Sequence, residues 1–197
     1  MKSVVLETPD GIDVRLGWDP SMTEHDRKRV LAKELVAAKL KLDPKDVRVE
    51  REAPAQFGFH TQLFASVEGK ELPLHIRNAS FRAATVVALT DQPYTIGLDI
   101  RDLHPDEATL HEMQRHSHLF DETNILNLID HWTRVQAVRE ADGRGARVVP
   151  DVVKLDATRQ RGWVPDRRAQ YTILDLSRDG FVVTLAFADA EDARTPV

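Results

Sequence analysis

Two residues of opposite charge, Asp99 and Arg101, stand two apart in the stretch IGLDIRDLHP, residues 96–105. The alternation there predicts a strand, and in a strand residues i and i+2 face the same way. A carboxylate beside a guanidinium can move a proton, hold an anion or simply pair, according to how much water reaches it. A second group is Trp132, Gln136 and Arg139, whose spacing places an indole, an amide and a guanidinium along one side of a helix. A third is a run of histidines. Of the eight in the chain, His104, His111, His116, His118 and His131 lie close together, and His111, Arg115 and His118 share a helical face. These read three ways: as exposed or hydrogen-bonded structural side chains, as a zinc set without firm spacing or carboxylate support, or as a source of a general acid or base, with His111 the candidate.

The elements that must position these groups are marked in the sequence. Residues 3–6 and 12–16 alternate as strands about a Pro9-Asp10-Gly11 turn. Ser21 and Glu24 form a capping box before a helix over 21–41, in which Val30, Leu31, Leu35, Ala38 and Leu42 recur at threes and fours. Its Arg27, Lys28 and Arg29 read as a solvated face or as a phosphate-gripping patch. Strands are expected over 47–51, over 62–67 and 72–76 as a hairpin about Glu68-Gly69-Lys70, over 83–89 as a buried run, and over 94–101. Pro105, as first helical residue, with Asp106 and Glu107 opens a helix to about Phe120. A second helix over 124–141 carries Trp132 in its buried stripe and stops at Gly143, where Gly143-Arg144-Gly145 either ends the helix or binds an anion. Short apolar stretches at 148–149 and 152–155 precede a hairpin of 171–176 and 181–187 about Arg178-Asp179-Gly180, and the charged tail after Ala188 is expected to fray. The expected class is α+β, with helix and strands in each half, divided into lobes 1–95 and 96–197.

Bulk properties narrow the function classes. The chain has 197 residues, 42% hydrophobic and 30% charged, an ordinary globular composition. A net charge of −5 argues against a nucleic-acid or anionic-membrane partner. The absence of cysteine removes disulfides, thiolate metal sites and a cysteine nucleophile. The opening MKSVVLETPDG has no apolar leader run, and no stretch reaches the ~18 apolar residues needed to span a bilayer, so the expected compartment is the cytoplasm.

Three stretches in order, LPLHIRNASFRAATVVAL, IGLDIRD and WTRVQAVREADGRG, resemble the 4′-phosphopantetheinyl transferase superfamily in its larger, two-lobed type, over about residues 32–185. That family carries an Ile-Ser-His-Ser stretch, a Gly-Ile-Asp-x-Glu strand and a helix reading Trp-Ser-x-Lys-Glu-Ala-x-x-Lys followed by Gly-x-Gly. Gly97, Asp99, Trp132, Thr133, Ala137, Gly143 and Gly145 match it. The resemblance implies an α+β fold of two pseudo-duplicated lobes that hold coenzyme A between them. It also implies Mg²⁺ assisting transfer of phosphopantetheine to a carrier-protein serine.

The departures cluster where that chemistry would occur. Arg101 stands in place of the second acid, Gln136 in place of the helix glutamate, and Val135 in place of the first lysine. Arg139 replaces the later lysine and can still grip phosphate. Asn78, or the nearby His75, takes the place of the histidine that touches coenzyme A phosphates, and Arg29 joins the same set of expected coenzyme A contacts. At ~4 Å and an effective dielectric of ~20, exchanging an anion for a cation swings a unit-charge interaction by about 8 kcal/mol. Mg²⁺ is therefore disfavoured, and Arg101 is expected to pair with Asp99 or take the cation's place. The alternative turns Arg101 to solvent and leaves a weak metal on Asp99.

The resemblance thus admits three functions. The first is a metal-independent enzyme of polyketide or related natural-product biosynthesis that needs no cofactor. It would cyclise or dehydrate a small-molecule acyl substrate, coenzyme A-linked, carrier-protein-linked or released. Asp99, Arg101, Gln136 and Arg139 would line its site, with Asp99 or a histidine such as His111 moving the proton. The second is a working transferase that uses coenzyme A and Mg²⁺, and the third a non-catalytic module that binds an acyl carrier protein.

Overall fold

A computed structural model describes residues 1–51, 62–116 and 123–197, and the chain divides into two compact units, Met1–Gln92 and Pro93–Val197. A division at 95/96 would fall inside a strand, because Tyr94–Asp102 is continuous. Both units combine helices with antiparallel sheet, so the chain is α+β.

In the first unit, β1 (Lys2–Leu6) and β2 (Ile12–Trp18) pair as a hairpin, followed by α1 (Glu24–Leu40). The strands β3 (Val47–Arg51), β4 (Leu63–Val67), β5 (Lys70–Glu71), β6 (His75–Phe81) and β7 (Ala84–Thr90) complete a sheet of order β1-β2-β7-β6-β4-β3, with β5 on β4. The central strand β7 is buried along its whole length, which its unbroken apolar run foretells. Leu31, Leu35 and Val36 of α1 pack on Val49, Leu63, Ile76 and Leu89 of the sheet. Truncating one such leucine to alanine costs about 2–5 kcal/mol.

Three expectations are corrected in this unit. The cap of α1 is Thr23, whose hydroxyl accepts the Asp26 N–H, while Ser21 is bound to the Asp19 carboxylate. The strand expected over 72–76 is replaced by the two-residue β5 and a later start at His75. Pro73 lies between them and has no N–H to offer a ladder. Arg27 is neither a solvated nor a phosphate-gripping residue. It is buried, donating from Nε to Thr85 Oγ1 at 3.1 Å and from its other nitrogens to the carbonyls of Asp19, Met22 and Arg82.

In the second unit, β8 (Tyr94–Asp102), β9 (Lys154–Leu155), β10 (Arg161–Trp163), β11 (Tyr171–Asp175) and β12 (Phe181–Asp189) form a sheet of order β8-β12-β11-β10-β9. The end strand β8 pairs with β12 from Asp102↔Phe181 to Tyr94↔Asp189. Lying on this sheet is α3 (Ile125–Asp142), capped by Asn124 at its start and by Gly143, at φ 80°, at its end. Gly97 allows the contact: a Cβ there would lie 2.1 Å from the Ala137 carbonyl oxygen. Beneath α3, Val138, Ala141, Tyr171 and Ile173 form the core.

Before α3 comes α2 (Glu107–His116), which packs through Met113 on Leu128, Ile129 and Trp132. The cap of α2 is Asp106, which accepts the Thr109 N–H, so Pro105 precedes the helix. The expected continuation to Phe120 lies outside the described residues. Pro150–Val152 form a short 3-10 turn, with Pro150 at its first position, and only Lys154–Leu155 are strand. The charged tail forms regular structure: Asp189 caps a last helix, α4 (Ala190–Arg194), which buries its own Ala193.

Candidate functional site

Along β8, Gly97, Asp99 and Arg101 alternate onto the face that α3 covers. Asp99 lies opposite Thr184 of β12, and the Thr184 hydroxyl donates to Thr133 of α3 at 3.0 Å. The Thr133 hydroxyl in turn donates to the Asp130 carbonyl. Thr184, the strand neighbour of Asp99, is thereby tied to the middle of α3.

The Arg101 guanidinium lies on the Asp99 carboxylate, with Nε donating to Oδ2 at 3.2 Å and Nη2 to Oδ1 at 3.4 Å. The side chains are 13% exposed for Asp99 and 25% for Arg101. Burial pushes the Asp99 carboxyl up to about 7, in spite of the opposing pull of Arg101, and the Glu140 charge pushes it further the same way. A proton on Asp99 therefore exchanges near neutral pH.

From α3, Gln136 presents its amide oxygen to Arg139 Nη1 at 2.7 Å, and Arg139 Nε donates to the Val148 carbonyl at 2.6 Å. Burial draws Arg139 below its ordinary value, while Glu140, Glu112 and Asp99 oppose the shift. Two buried donors of this helix, Trp132 Nε1 and Gln136 Nε2, meet no acceptor among the described residues. Trp132 itself is core, as its place in the apolar stripe predicts.

Asp99 and Arg101 thus pair on β8, Gln136 and Arg139 pair on α3, and the two pairs lie near enough for the Asp99 charge to act on Arg139, as does that of Glu140 on Asp99. Glu140 lies four beyond Gln136, a spacing that would have flagged it. His111 joins neither pair. It lies on the exposed side of α2 with Glu112 and Arg115, because Met113 turns the opposite side to α3. His116 is the histidine that reaches α3, its ring 6.3 Å from that of Trp132 and its Nδ1 3.8 Å from the Asp151 carboxylate. His118 lies outside the described residues, and no group of three or more metal-ligating side chains forms among the described ones.

Of the coenzyme A candidates in the first unit, Arg29 is half-buried on α1, His75 is exposed at the start of β6, and Asn78 lies mid-strand opposite Val87. His75 and Asn78 take opposite faces of β6, three residues apart, and no hydrogen bond among the described residues joins them to each other or to Arg29.

The Gly143-Arg144-Gly145 loop does not offer its cation to an anion. Arg144 is already forked onto Asp142 and Asp166, through bonds of 2.6 and 3.0 Å to the first and 2.5 and 2.8 Å to the second. A further groove in the second unit, lined by Arg134, Gln160, Arg161, Thr172 and Asp175, had no motif to mark it. Among the described residues, no helix is long and apolar enough to cross a membrane. Comparison of the chain with family models and with curated proteins finds no match.

Proposed function

We propose that the chain is a diverged member of the 4′-phosphopantetheinyl transferase superfamily that works as an acid–base enzyme on an acyl substrate of the polyketide or related natural-product type, linked to coenzyme A or a carrier protein or released from it. The observation that carries this is the Asp99–Arg101 pair, a carboxylate gripped by a guanidinium and shifted to exchange its proton near neutrality. In support, each unit lays one long helix on an antiparallel sheet, as a two-lobed member would.

The residues present do not fit the Mg²⁺ that the resemblance implies. That ion seeks anionic oxygens, whereas both oxygens of Asp99 face Arg101 and the Gln136 amide oxygen is occupied by Arg139. Arg139 gives two of its five donors to Val148 and Gln136, which leaves fewer for a coenzyme A phosphate.

The supported chemistry starts at the carbon beside an acyl carbonyl. Asp99 as carboxylate takes a proton from that carbon, the C–H electron pair moves toward the carbonyl oxygen, and a neutral carboxylic acid and an enolate result. The enolate then attacks a second carbonyl in the same chain to close a ring, or expels a β-hydroxyl. In the first case the Asp99 proton passes to the alkoxide formed at the attacked carbonyl, and in the second it leaves with the hydroxyl as water. Arg101 keeps Asp99 oriented and stabilises its charged form.

The β-hydroxybutyryl thioester of N-acetylcysteamine tests this in D₂O with EDTA present. Exchange of its α-protons faster than in buffer, abolished by Asp99→Asn, is the expected result. Mg²⁺-dependent attachment of phosphopantetheine from coenzyme A to an apo acyl carrier protein, read as a mass increase, would establish the transferase instead.

A further inference from the structure

Trp132 and Gln136 lie four residues apart on α3, on adjoining turns of one side. Their side chains are buried, Trp132 at 4% exposure and Gln136 at 9%, yet the indole N–H and the amide N–H meet no acceptor among the described residues. Buried donors in native proteins nearly always have one. The amide is also held from behind. Val148 accepts from Arg139, and Arg139 donates to the Gln136 oxygen, so the oxygen is committed and the NH₂ group is left for something else. A glutamate at 136 could not supply such a donor, because an ionised carboxylate only accepts. Asp99 lies near enough to this stretch of α3 for its charge to act on Arg139.

We infer that Trp132 and Gln136 form a two-donor cradle for the carbonyl oxygen of an acyl thioester, where the negative charge of an enolate would develop. This rests on the acid–base function proposed above and gives its substrate class. Gln136 is then a donor gained at this position, held in place before any substrate arrives.

The β-hydroxybutyryl thioester, isotopically labelled at its carbonyl carbon, tests the cradle in the whole chain. Bound to the wild type, its C=O stretch should fall below the solution value. Trp132→Phe keeps a ring in the core, and Gln136→Glu keeps an acceptor for Arg139 while deleting the donor. Each should lose part of the band shift and slow α-proton exchange by about a hundredfold. Should Trp132→Phe melt far below the wild type, Gln136→Glu decides alone. A band shift and exchange rate unchanged in the variants overturn the cradle and leave the acid–base function standing. A shift lost in the variants, with no exchange in the wild type, keeps the cradle and removes the acid–base function. Failure of the thioester to bind overturns both.

Discussion

Asp99→Asn should alter how the stability of the protein depends on pH. The carboxyl rises from an ordinary 3.8 to about 7 in the fold, so the folded state binds this proton more tightly than the unfolded chain does. That sign means that its stabilising contribution is fully present below the unfolded value and is lost as pH climbs from about 4 to about 7. At 1.36 kcal/mol per pH unit the whole interval amounts to about 4 kcal/mol. The partial access of water, at 13% side-chain exposure, reduces the expectation to about 2–4 kcal/mol. Asparagine has the same shape and no proton to lose. Urea unfolding of both proteins at steps from about pH 4 to 8 should therefore show the wild type losing ground to the variant by that amount. In melting temperature this is roughly 10–20 °C for a unit of roughly 100 residues. The other titrating groups are common to both proteins and cancel, apart from Glu140, which is coupled to Asp99. A difference flat to within about 1 kcal/mol across this range would mean that Asp99 titrates as an ordinary carboxylate. The acid–base mechanism would then lose its proton carrier.

Gly97→Ala should be among the most damaging single changes, lowering stability by about 3 kcal/mol or more, because the new methyl meets helix backbone that cannot swing aside. A melt within a few degrees of wild type would show that α3 lies further from β8. Arg27→Met should cost about 3 kcal/mol in urea titrations, since it leaves the Asp19, Met22 and Arg82 carbonyls and the Thr85 hydroxyl without their shared donor. A loss under about 1 kcal/mol would show that water replaces the guanidinium. Arg101→Glu with Gln136→Glu should create saturable Mg²⁺ binding, read by titration calorimetry, where the wild type shows none. Equal binding by both proteins would refute the electrostatic account of Asp99.

How much of this was legible beforehand depended on whether a group's surroundings are local in sequence. Strand alternation placed Asp99 and Arg101 on one face, and helical spacing placed Gln136 and Arg139 within reach of each other, because both periods are properties of the backbone alone. Gly97 and Ala137 matched a motif, and their contact explains why one residue must be so small. The burial of Arg27 could not be read in the same way. Its partners come from the loop before α1 and from the Arg82 turn far along the chain, and a basic residue in a first helical turn ordinarily meets water. His111 lies two residues from Met113, about 200° around α2: a periodicity shared by several histidines does not say which side of the helix meets α3, and Met113 decides it. Glu140 was overlooked although its spacing from Gln136 was on view. Its effect on Asp99 passes through space and not through any motif.

The Asp142–Arg144–Asp166 clasp, met above as a reason to discount an anion site, has a mechanical side. It rivets the last turn of α3 to a point far along the chain, whereas Ile125 and Leu126 at the other end stand open to solvent. The start of α3 is therefore the end that shows apolar side chains to water, and its close is the end held by charge. Gln136 and Arg139 lie in the half of α3 that closes on this clasp.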